Sequence, residues 1–460
     1  MASFAATSRL FKDQLSGSCE ALLAVLEESR IDGLASELQF IWRHCFWRPA
    51  IVILTFLRQV MLPDCSCRAA VAQTRSDPGL AARGGRHISS EPSAYSQARQ
   101  RLPLRLLERL SAALVARLHE PQRLWHGHRV RVIDGSCVSA PDTPALQKAY
   151  PQSPYQRPGC GFPLIQMVGL FCWASGALLE LVYDARTVGE LQLFRRLMHC
   201  FEPGDVGLAD RLYGTYCELA LLGQRQAYGV FRLHNARRAD FRQGRRLGPG
   251  DRLMIWSRPL KPPRGMSVEL WASLPETLTV RLVRRVVNDR QGFRRRRIDL
   301  VTTLLEANTY PADELIQLYR DRWRVELSLR SLKCTQGMDR LRCRSPEMVR
   351  KELAMHQIAY NLIRLLMRAA GAIHGREVHR LSFAGTSQRL RAMLPYLQYC
   401  RGKRLRSVVR MLLQDIAADM VPSRPGRKEP RALKRRAKAY RRLTCPRAQA
   451  RGMKCYDGTN

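Results

Sequence analysis

Hydrophobic residues in the first 122 positions recur at helical spacing, and short polar breaks separate the runs. Apolar side chains three and four residues apart share one face of a helix, so each run predicts an amphipathic helix. The predicted helices span residues 10–28, 31–45, 49–62, 66–75, 94–102 and 104–119. This pattern predicts an all-helical N-terminal domain over residues 1–122.

From residue 129 the pattern changes to short apolar runs that are typical of strands, at 129–134, 164–173, 178–183 and 206–209. The apolar stretch 162–183 is long enough to resemble a membrane span. Gln166, the small residues at 174–177 and Glu180 interrupt it, so we predict two buried strands joined by a turn. A helical pattern at 188–201 lies between these strands and the next, which together predicts an α/β core with a mixed sheet.

Residues 234–297 are rich in Arg, Gly and Pro and contain the strand-like segment 277–287, so we predict a basic β-rich insertion. The helical pattern returns at Ala312 and continues through residues 352–367. We therefore assign the α/β domain to 123–400, with the insertion at about 234–297, and a C-terminal helix and basic tail to 401–460. From Pro422 onward the tail has 13 Lys or Arg residues, and we expect it to contact DNA.

Composition adds a partner class to this picture. A chain of 460 residues with 45% hydrophobic content can form two or three domains with proper cores. Its 77 Lys and Arg residues against 39 Asp and Glu residues give a formal charge of +38, which favours a polyanion. Charge alone is equally typical of RNA-binding and membrane-surface proteins. The 14 cysteines include no CxxC pair and no export signal is recognised, so we expect reduced thiols and a cytoplasmic protein.

Four side chains in the predicted helix after residue 312 share one face. Tyr319, Arg322, Glu326 and Lys333 lie at offsets of 0, 3, 7 and 14 residues. At the helical rotation per residue these positions fall within about 60° of one another. A solvated, salt-bridged helix surface would show the same stripe. A phosphodiester held beside a metal ion would also use a phenol, a guanidinium, a carboxylate and an ammonium group in this arrangement.

Two further carboxylates, Asp134 and Asp210, follow apolar strand-like runs. We expect each at the end of its strand, with Gly135-Ser136 leading the chain out of the sheet beyond Asp134. Each acid alone is typical of a cap or turn residue. Together with Glu326 they form a set of oxygen donors that suits two Mg²⁺ or Mn²⁺ ions about 4 Å apart, as in phosphoryl transfer.

These motifs resemble those of the IS4-type DDE transposases, and the resemblance covers nearly the whole chain. The family signature Tyr-x2-Arg-x3-Glu-x6-Lys matches the residues from Tyr319 to Lys333. The blocks around the other two acids, Val132-Ile-Asp134-Gly-Ser136 and Asp205-x4-Asp210-Arg211-x-Tyr213, also look like the family. The resemblance implies an RNase H-like core that contains the three acids, and a β-rich insertion between the second and third.

By this resemblance Asp134, Asp210 and Glu326 are the catalytic metal ligands, and Tyr319, Arg322 and Lys333, with Arg211, contact DNA. The reaction would be cleavage at the ends of an insertion sequence followed by transfer of the 3′-OH groups to target DNA. Partners would be the terminal inverted repeats, which the N-terminal domain would recognise, target DNA, and a second copy of the chain on DNA.

Three other interpretations stay open from the sequence. A metal-dependent nuclease without strand transfer would need the same acids. A catalytically inactive DNA-binding relic and a basic RNA-binding protein would both explain the charge. Three tryptophans are candidates for stacking on a distorted DNA end. Core packing is the better interpretation for Trp271 and Trp323, and the sequence does not decide for Trp256.

Overall fold

The computed structural model describes residues 27–43, 45–81, 87–118, 124–234, 236–237, 239–287, 296–422 and 443–452. Most of the predicted helix at 10–28 and most of the predicted basic tail lie outside these ranges.

The N-terminal part consists of helices packed around one apolar member. Helix α2 has a proline at its first turn, which suits the start of a helix, and all of its residues are buried. The helices of this part are α1 (Glu28–Glu37), α2 (Pro49–Met61), α3 (Cys67–Ser76), α4 (Pro78–Ala81), α5 (Ser93–Arg101) and α6 (Leu104–Leu118). These bounds confirm the predicted helices that begin near residues 49, 66, 94 and 104, whereas the predicted helix at 31–45 is shorter and begins earlier.

Nine strands of the described residues form one mixed sheet in the order β3-β2-β1-β4-β5-β9-β8-β7-β6. Strand β1 pairs in parallel with β4, and β4 pairs in parallel with β5, while all the other neighbouring pairs are antiparallel. The strands are β1 (Val130–Ser139), β2 (Leu164–Cys172), β3 (Leu178–Ala185), β4 (Val206–Ala209), β5 (Tyr228–Arg232), β6 (Arg245–Gly248), β7 (Asp251–Ser257), β8 (Thr277–Val287) and β9 (Arg296–Thr302). The α/β fold class and the two strands predicted within 162–183 are therefore confirmed.

The two faces of the sheet pack against different helices. Side chains alternate along β1, so Val132 belongs to the apolar cluster that includes α6, and Ile133 belongs to a second cluster on the opposite face. The remaining helices are α7 (Pro144–Ala149), α8 (Glu190–Arg196), α9 (Tyr216–Gln224), α10 (Val268–Ala272), α11 (Ala312–Asp321), α12 (Trp323–Arg330), α13 (Pro346–His374), α14 (Phe383–Tyr399), α15 (Gly402–Ala418) and α16 (Arg447–Gly452). Helices α12 and α13 pack on the Val132 face, and α8 and α9 pack on the Ile133 face.

The strands between β5 and α11 extend the main sheet. Strand β9 pairs with β5, so β6 to β9 continue the sheet of which β1 is the third strand. The predicted strand at 277–287 is confirmed as β8, and the short helix α10 was not predicted. None of the helices in the described ranges combines the length and apolar composition of a membrane-spanning segment.

Candidate active site

Asp134 lies in the middle of β1, which corrects the prediction that it ends a strand. The strand continues through Ser139 because β2 pairs with it as far as Ser139, opposite Leu164. The parallel partner β4 is shorter and ends at Ala209. Asp134 therefore lies within β1 but at the level where the neighbouring parallel strand has already ended.

Asp210 is the first residue after β4, as predicted. Strands β1 and β4 pair Val130 with Val206 and Val132 with Leu208, and the same offset sets Asp134 level with Asp210. The Asp210 Oδ1 atom accepts a hydrogen bond from the Leu212 amide at 2.8 Å, which closes a turn. The pairing of two parallel strands thus brings two acids that are far apart in sequence to the same end of the sheet.

The third acid and the basic residues lie on a helix that is less regular than predicted. Helix α11 ends at Asp321, and α12 begins at Trp323. The Arg322 amide bonds the Tyr319 carbonyl, three residues back, which tightens the backbone at this junction. A π-helical turn over Ser331–Thr335 follows α12. Tyr319 lies on α11, Arg322 at the junction, Glu326 on α12 and Lys333 in the π-helical turn, so the prediction of one regular helical stripe is wrong in detail.

Despite these irregularities, Arg322 connects the helix with β1. Its guanidinium lies 2.6 Å from Glu326 Oε1 and 3.9 Å from Asp134 Oδ2. The Arg322 side chain is 14% exposed and that of Asp134 is 20% exposed, whereas that of Glu326 is 55% exposed. One cationic group thus lies between two of the three predicted acids, and the outer acid is accessible to solvent.

The electrostatics of Asp134 reflect this crowding of acids. Burial raises the pKa of Asp134 to about 6, and the charges of Asp210 and Glu326 act in the same direction. The Arg322 guanidinium and the Gly135 N–H, which donates to Asp134 Oδ1 at 3.0 Å, lower the pKa but do not offset the burial. The ionised form of this carboxyl group is therefore costly in the absence of an additional cation.

Lys333 and Tyr319, the other two residues of the predicted stripe, contact β1 and Arg322 respectively. Lys333 Nζ donates to Ser136 Oγ at 2.8 Å, and Ser136 projects from the same face of β1 as Asp134. Tyr319 lies with its ring centroid 5.8 Å from the Arg322 guanidinium, and burial raises the pKa of its phenol. Arg211, the fourth predicted DNA contact, directly follows Asp210 and is partly exposed.

The chemistry of these residues fits a divalent cation, although their side chains are not assembled around one. Among the described residues, no group of three or more His, Cys, Asp and Glu side chains is arranged to hold a metal ion. Arg322 occupies the space between Asp134 and Glu326 and supplies positive charge there. Carboxylates are the donors that Mg²⁺ and Mn²⁺ prefer, and burial, together with the charges of Asp210 and Glu326, raises the pKa of Asp134. Asp134, Asp210 and Glu326 could therefore hold a cation after Glu326 leaves Arg322.

The sequence interpretation missed one acid beside this site. Glu190, in the first turn of α8, accepts hydrogen bonds from Gln166 on β2 and from Tyr213 in the turn after Asp210. An acid at the start of a helix is common for reasons of the helix dipole alone, so Glu190 gave no functional signal. The polar Gln166 within an apolar run was the available sign of a buried polar partner.

The tryptophans differ from expectation in one case. Trp323, for which core packing was predicted, is 55% exposed at the start of α12, so that prediction is wrong. Trp256 is 7% exposed in the core of the sheet, with the Arg237 guanidinium 3.9 Å from its ring centroid. Trp271 is partly buried and donates from its indole nitrogen to the Pro259 carbonyl at 3.1 Å, which fits a packing role.

Similarity to known proteins identifies the family to which the chain belongs. Residues 125–362 match the transposase DDE domain family, and this match contains Asp134, Asp210 and Glu326. The chain is 29% identical over 358 residues to the transposase InsG of insertion sequence element IS4 from Escherichia coli (strain K12), across 76% of this chain and 78% of the relative. A piggyBac transposase synaptic complex with hairpin DNA aligns with 88% of this chain and 86% of that chain at a TM-score of 0.41 and 11% identity. The chain belongs to the DDE transposase family and is a DNA transposase of the IS4 type.

Proposed function

We propose that Asp134, Asp210 and Glu326 form the catalytic site of this transposase, which cleaves phosphodiesters at insertion-sequence ends and transfers the 3′-OH groups to target DNA. The observation that supports this most directly is the convergence of Asp134, Arg322 and Glu326, from a strand and a helix almost 190 residues apart, at the end of β4 where Asp210 follows. In the first step water attacks phosphorus and the 3′ oxygen leaves. In the second step that 3′-OH attacks the phosphorus of a target phosphodiester and displaces the 3′ oxygen of the target strand.

The three carboxylates would hold two divalent cations, Mg²⁺ or Mn²⁺, which would activate the attacking oxygen and stabilise the leaving oxygen. The protein's own residues set the geometry. Lys333 fixes Ser136, two residues from Asp134, and Arg322 orients Glu326 from within the same helical segment. Positioning and charge neutralisation are most of what phosphoryl transfer requires.

Tyr319, Arg322, Lys333 and Arg211 are the proposed contacts to the terminal phosphates. Arg322 has a double role in this proposal. In the absence of DNA, Arg322 forms an ion pair with Glu326. A DNA phosphate that binds the Arg322 guanidinium in place of Glu326 would leave the Glu326 carboxylate free to bind the cation. A guanidinium suits this exchange because it can bind a carboxylate or a phosphate in a bidentate way.

The proposed architecture assigns the strand order β3-β2-β1-β4-β5 to an RNase H-like core, supported by its three antiparallel and two following parallel strands. The strands β6 to β9 would be the β-rich insertion at about 234–297, within a catalytic domain at 123–400. The helices of 1–122 would recognise the terminal repeats, and 401–460 would contribute a helix and a basic tail. Two copies would pair the element's ends on DNA in the bacterial cytoplasm.

Glu326→Gln tests the proposed role of the third acid. Glu326 is exposed, and among the residues that the structure describes its hydrogen-bond and ion-pair partner is Arg322. The variant should therefore fold normally and bind end DNA like the wild type, yet lose cleavage. Cleavage of a labelled duplex with the element's own end and a gel-shift assay on the same duplex measure the two properties. Glu306→Gln, an exposed glutamate outside the site, is the matched control. Equal loss of binding and cleavage by Glu326→Gln would contradict the assignment.

A further inference from the structure

Glu190 lies behind β1, on the face of the sheet opposite to Asp134. Its Oε1 atom accepts a hydrogen bond from Gln166 Nε2 at 3.0 Å, and its Oε2 atom accepts one from Tyr213 Oη at 3.3 Å. Both donors are fixed, since Gln166 is 7% exposed and Tyr213 is 1% exposed. The Gln166 amide also donates to the Ser136 carbonyl at 3.2 Å. One carboxylate therefore joins the strand pair that contains Asp134 to the turn that contains Asp210.

Glycine at position 135 permits this approach. Strand alternation points the Cβ position of residue 135 away from the Asp134 face, toward α8. A Cβ at this position would overlap the Glu190 carboxylate, whose atoms are its three nearest neighbours. Because Gly135 has no side chain, the Glu190 carboxylate can pack directly against the β1 backbone next to Asp134.

We propose that Glu190 is a positioning residue of the acid site, which fixes Asp134 on β1 relative to Asp210 in the turn after β4. This inference rests on the proposed function, since it assigns Glu190 a role toward the cation that Asp134 and Asp210 would hold. Tyr213 is part of the same proposal, because its hydroxyl donates the hydrogen bond that connects Glu190 with the turn after Asp210.

The charge of Glu190 adds to its geometric effect. Among the described residues Glu190 forms no ion pair with a Lys, Arg or His side chain, and its two oxygens accept from an amide and a phenol. Burial and the nearby Asp210 charge raise the pKa of Glu190, which places its carboxylate within electrostatic reach of the second acid. Loss of this negative charge should weaken the attraction of the site for a divalent cation.

The test compares Glu190→Gln, Tyr213→Phe and the double variant in full-length protein, with Mn²⁺ as the probe. Two quantities are measured: the half-saturating Mn²⁺ concentration for end cleavage, and the rise in melting temperature that Mn²⁺ causes. Glu190→Gln should raise the half-saturating concentration about tenfold, the size typical for residues that support metal ligands, and reduce the Mn²⁺-induced rise. Tyr213→Phe keeps the ring on Phe194, 5.2 Å away between centroids, and should act in the same direction with a smaller effect.

Because the two residues share one hydrogen bond, the double variant should need no more Mn²⁺ than Glu190→Gln alone. Glu180→Gln is the matched control, a partly buried glutamate of β3 whose charged neighbours are His199 and Glu108, and its Mn²⁺ dependence should equal that of the wild type. A Glu190→Gln protein that melts earlier in EDTA but keeps the wild-type Mn²⁺ dependence would overturn the inference, as would unchanged behaviour in both.

Asp134→Asn, measured in parallel, separates this inference from the proposed function. If Asp134→Asn abolishes cleavage and Glu190→Gln has wild-type Mn²⁺ dependence, only the role of Glu190 is wrong. If Asp134→Asn cleaves like the wild type, the proposed site itself is wrong.

Discussion

At the scale of single residues, Asp134 shows a conflict between stability and activity. Its carboxyl group is mostly buried, and Asp210 and Glu326 are close enough to affect its ionisation. Burial and these neighbouring charges make the ionised carboxylate unfavourable in the folded apoprotein, and under the proposed function a bound cation would offset this cost. The sequence predicted the three acids of the proposed site, but it did not predict the burial of Asp134, which lies beside the long strand β2 at a level where β4 has already ended.

The raised pKa of Asp134 gives a prediction about stability and pH. Its folded-state pKa of about 6 exceeds the ordinary value of 3.8, so the folded protein binds this proton more tightly than the unfolded chain does. The resulting stabilisation is complete below about pH 4 and is lost as the pH rises through about 6. In EDTA at pH 7.5, Asp134→Asn should therefore raise the free energy of unfolding by up to about 3 kcal/mol, with little difference at pH 4.

Urea unfolding of both proteins at the two pH values checks this prediction. Equal stability of wild type and Asp134→Asn at pH 7.5 would show that the Asp134 carboxyl group is not strained by its surroundings.

At the scale of elements, the sequence pattern predicted the bounds of several helices and strands, whereas the irregular segments coincide with contacts between elements. The bounds of α2 and β8 follow from local features, a proline start and a run of alternating and β-branched residues, and the sequence predicted them closely. Arg322, at the break between α11 and α12, and Lys333, in the π-helical turn, both contact β1, and the periodicity of the sequence contains neither the breaks nor these contacts. Trp323, which is exposed, is the first residue of α12, directly after this break.

Lys333, in the π-helical turn, donates a hydrogen bond to Ser136 on β1 and is also a proposed phosphate contact. Two substitutions distinguish these roles. As a phosphate contact, Lys333 contributes charge, so Lys333→Ala should weaken end binding and lower the slope of log affinity against log salt by about 0.9. Ser136→Ala removes the 2.8 Å hydrogen bond from Lys333 but leaves the charge in place, so it should keep the wild-type slope. Binding titrations of end duplex at several salt concentrations measure both slopes, and a Lys333→Ala slope equal to that of the wild type would contradict the phosphate contact.

A buried ion pair joins the outer strands β7 and β8 to each other and to Tyr310, in the segment before α11. Arg281 on β8 is fully buried, and it donates to both oxygens of Asp251 on β7 at 2.8 and 2.6 Å and to the Tyr310 carbonyl at 2.8 Å. Arg281→Met would leave the Asp251 charge buried without its partner, so it should cost about 3–5 kcal/mol of unfolding free energy.

The double variant Arg281→Met/Asp251→Leu should recover part of this loss, because it removes the unpaired charge. Urea unfolding of both variants measures the difference. A double variant less stable than Arg281→Met would mean that Asp251 contributes through interactions other than this pair.

At the scale of the whole molecule, the net charge indicates the class of partner, and the sheet topology explains how the acids come together. The formal charge of +38 favours a polyanionic partner but does not separate DNA from RNA or cleavage from binding. In the single nine-stranded sheet the pairing of β1 with β4 sets Asp134 level with Asp210, the first residue after β4, and Arg322, just before α12, lies 3.9 Å from Asp134. The family signature was sufficient to predict the reaction class from sequence, whereas the contribution of Glu190 needed the folded arrangement of β1, β2 and α8.

The central claim is that one acid site performs both chemical steps of transposition. The most direct measurement is cleavage and strand transfer on a labelled duplex with the element's own end, with Mg²⁺ or Mn²⁺, for wild type and Asp134→Asn. We predict metal-dependent nicking followed by joining to target DNA for the wild type, and neither step for the variant at undiminished end binding. Tight binding by the wild type with no cleavage under either metal, or equal cleavage by both proteins, would contradict the account.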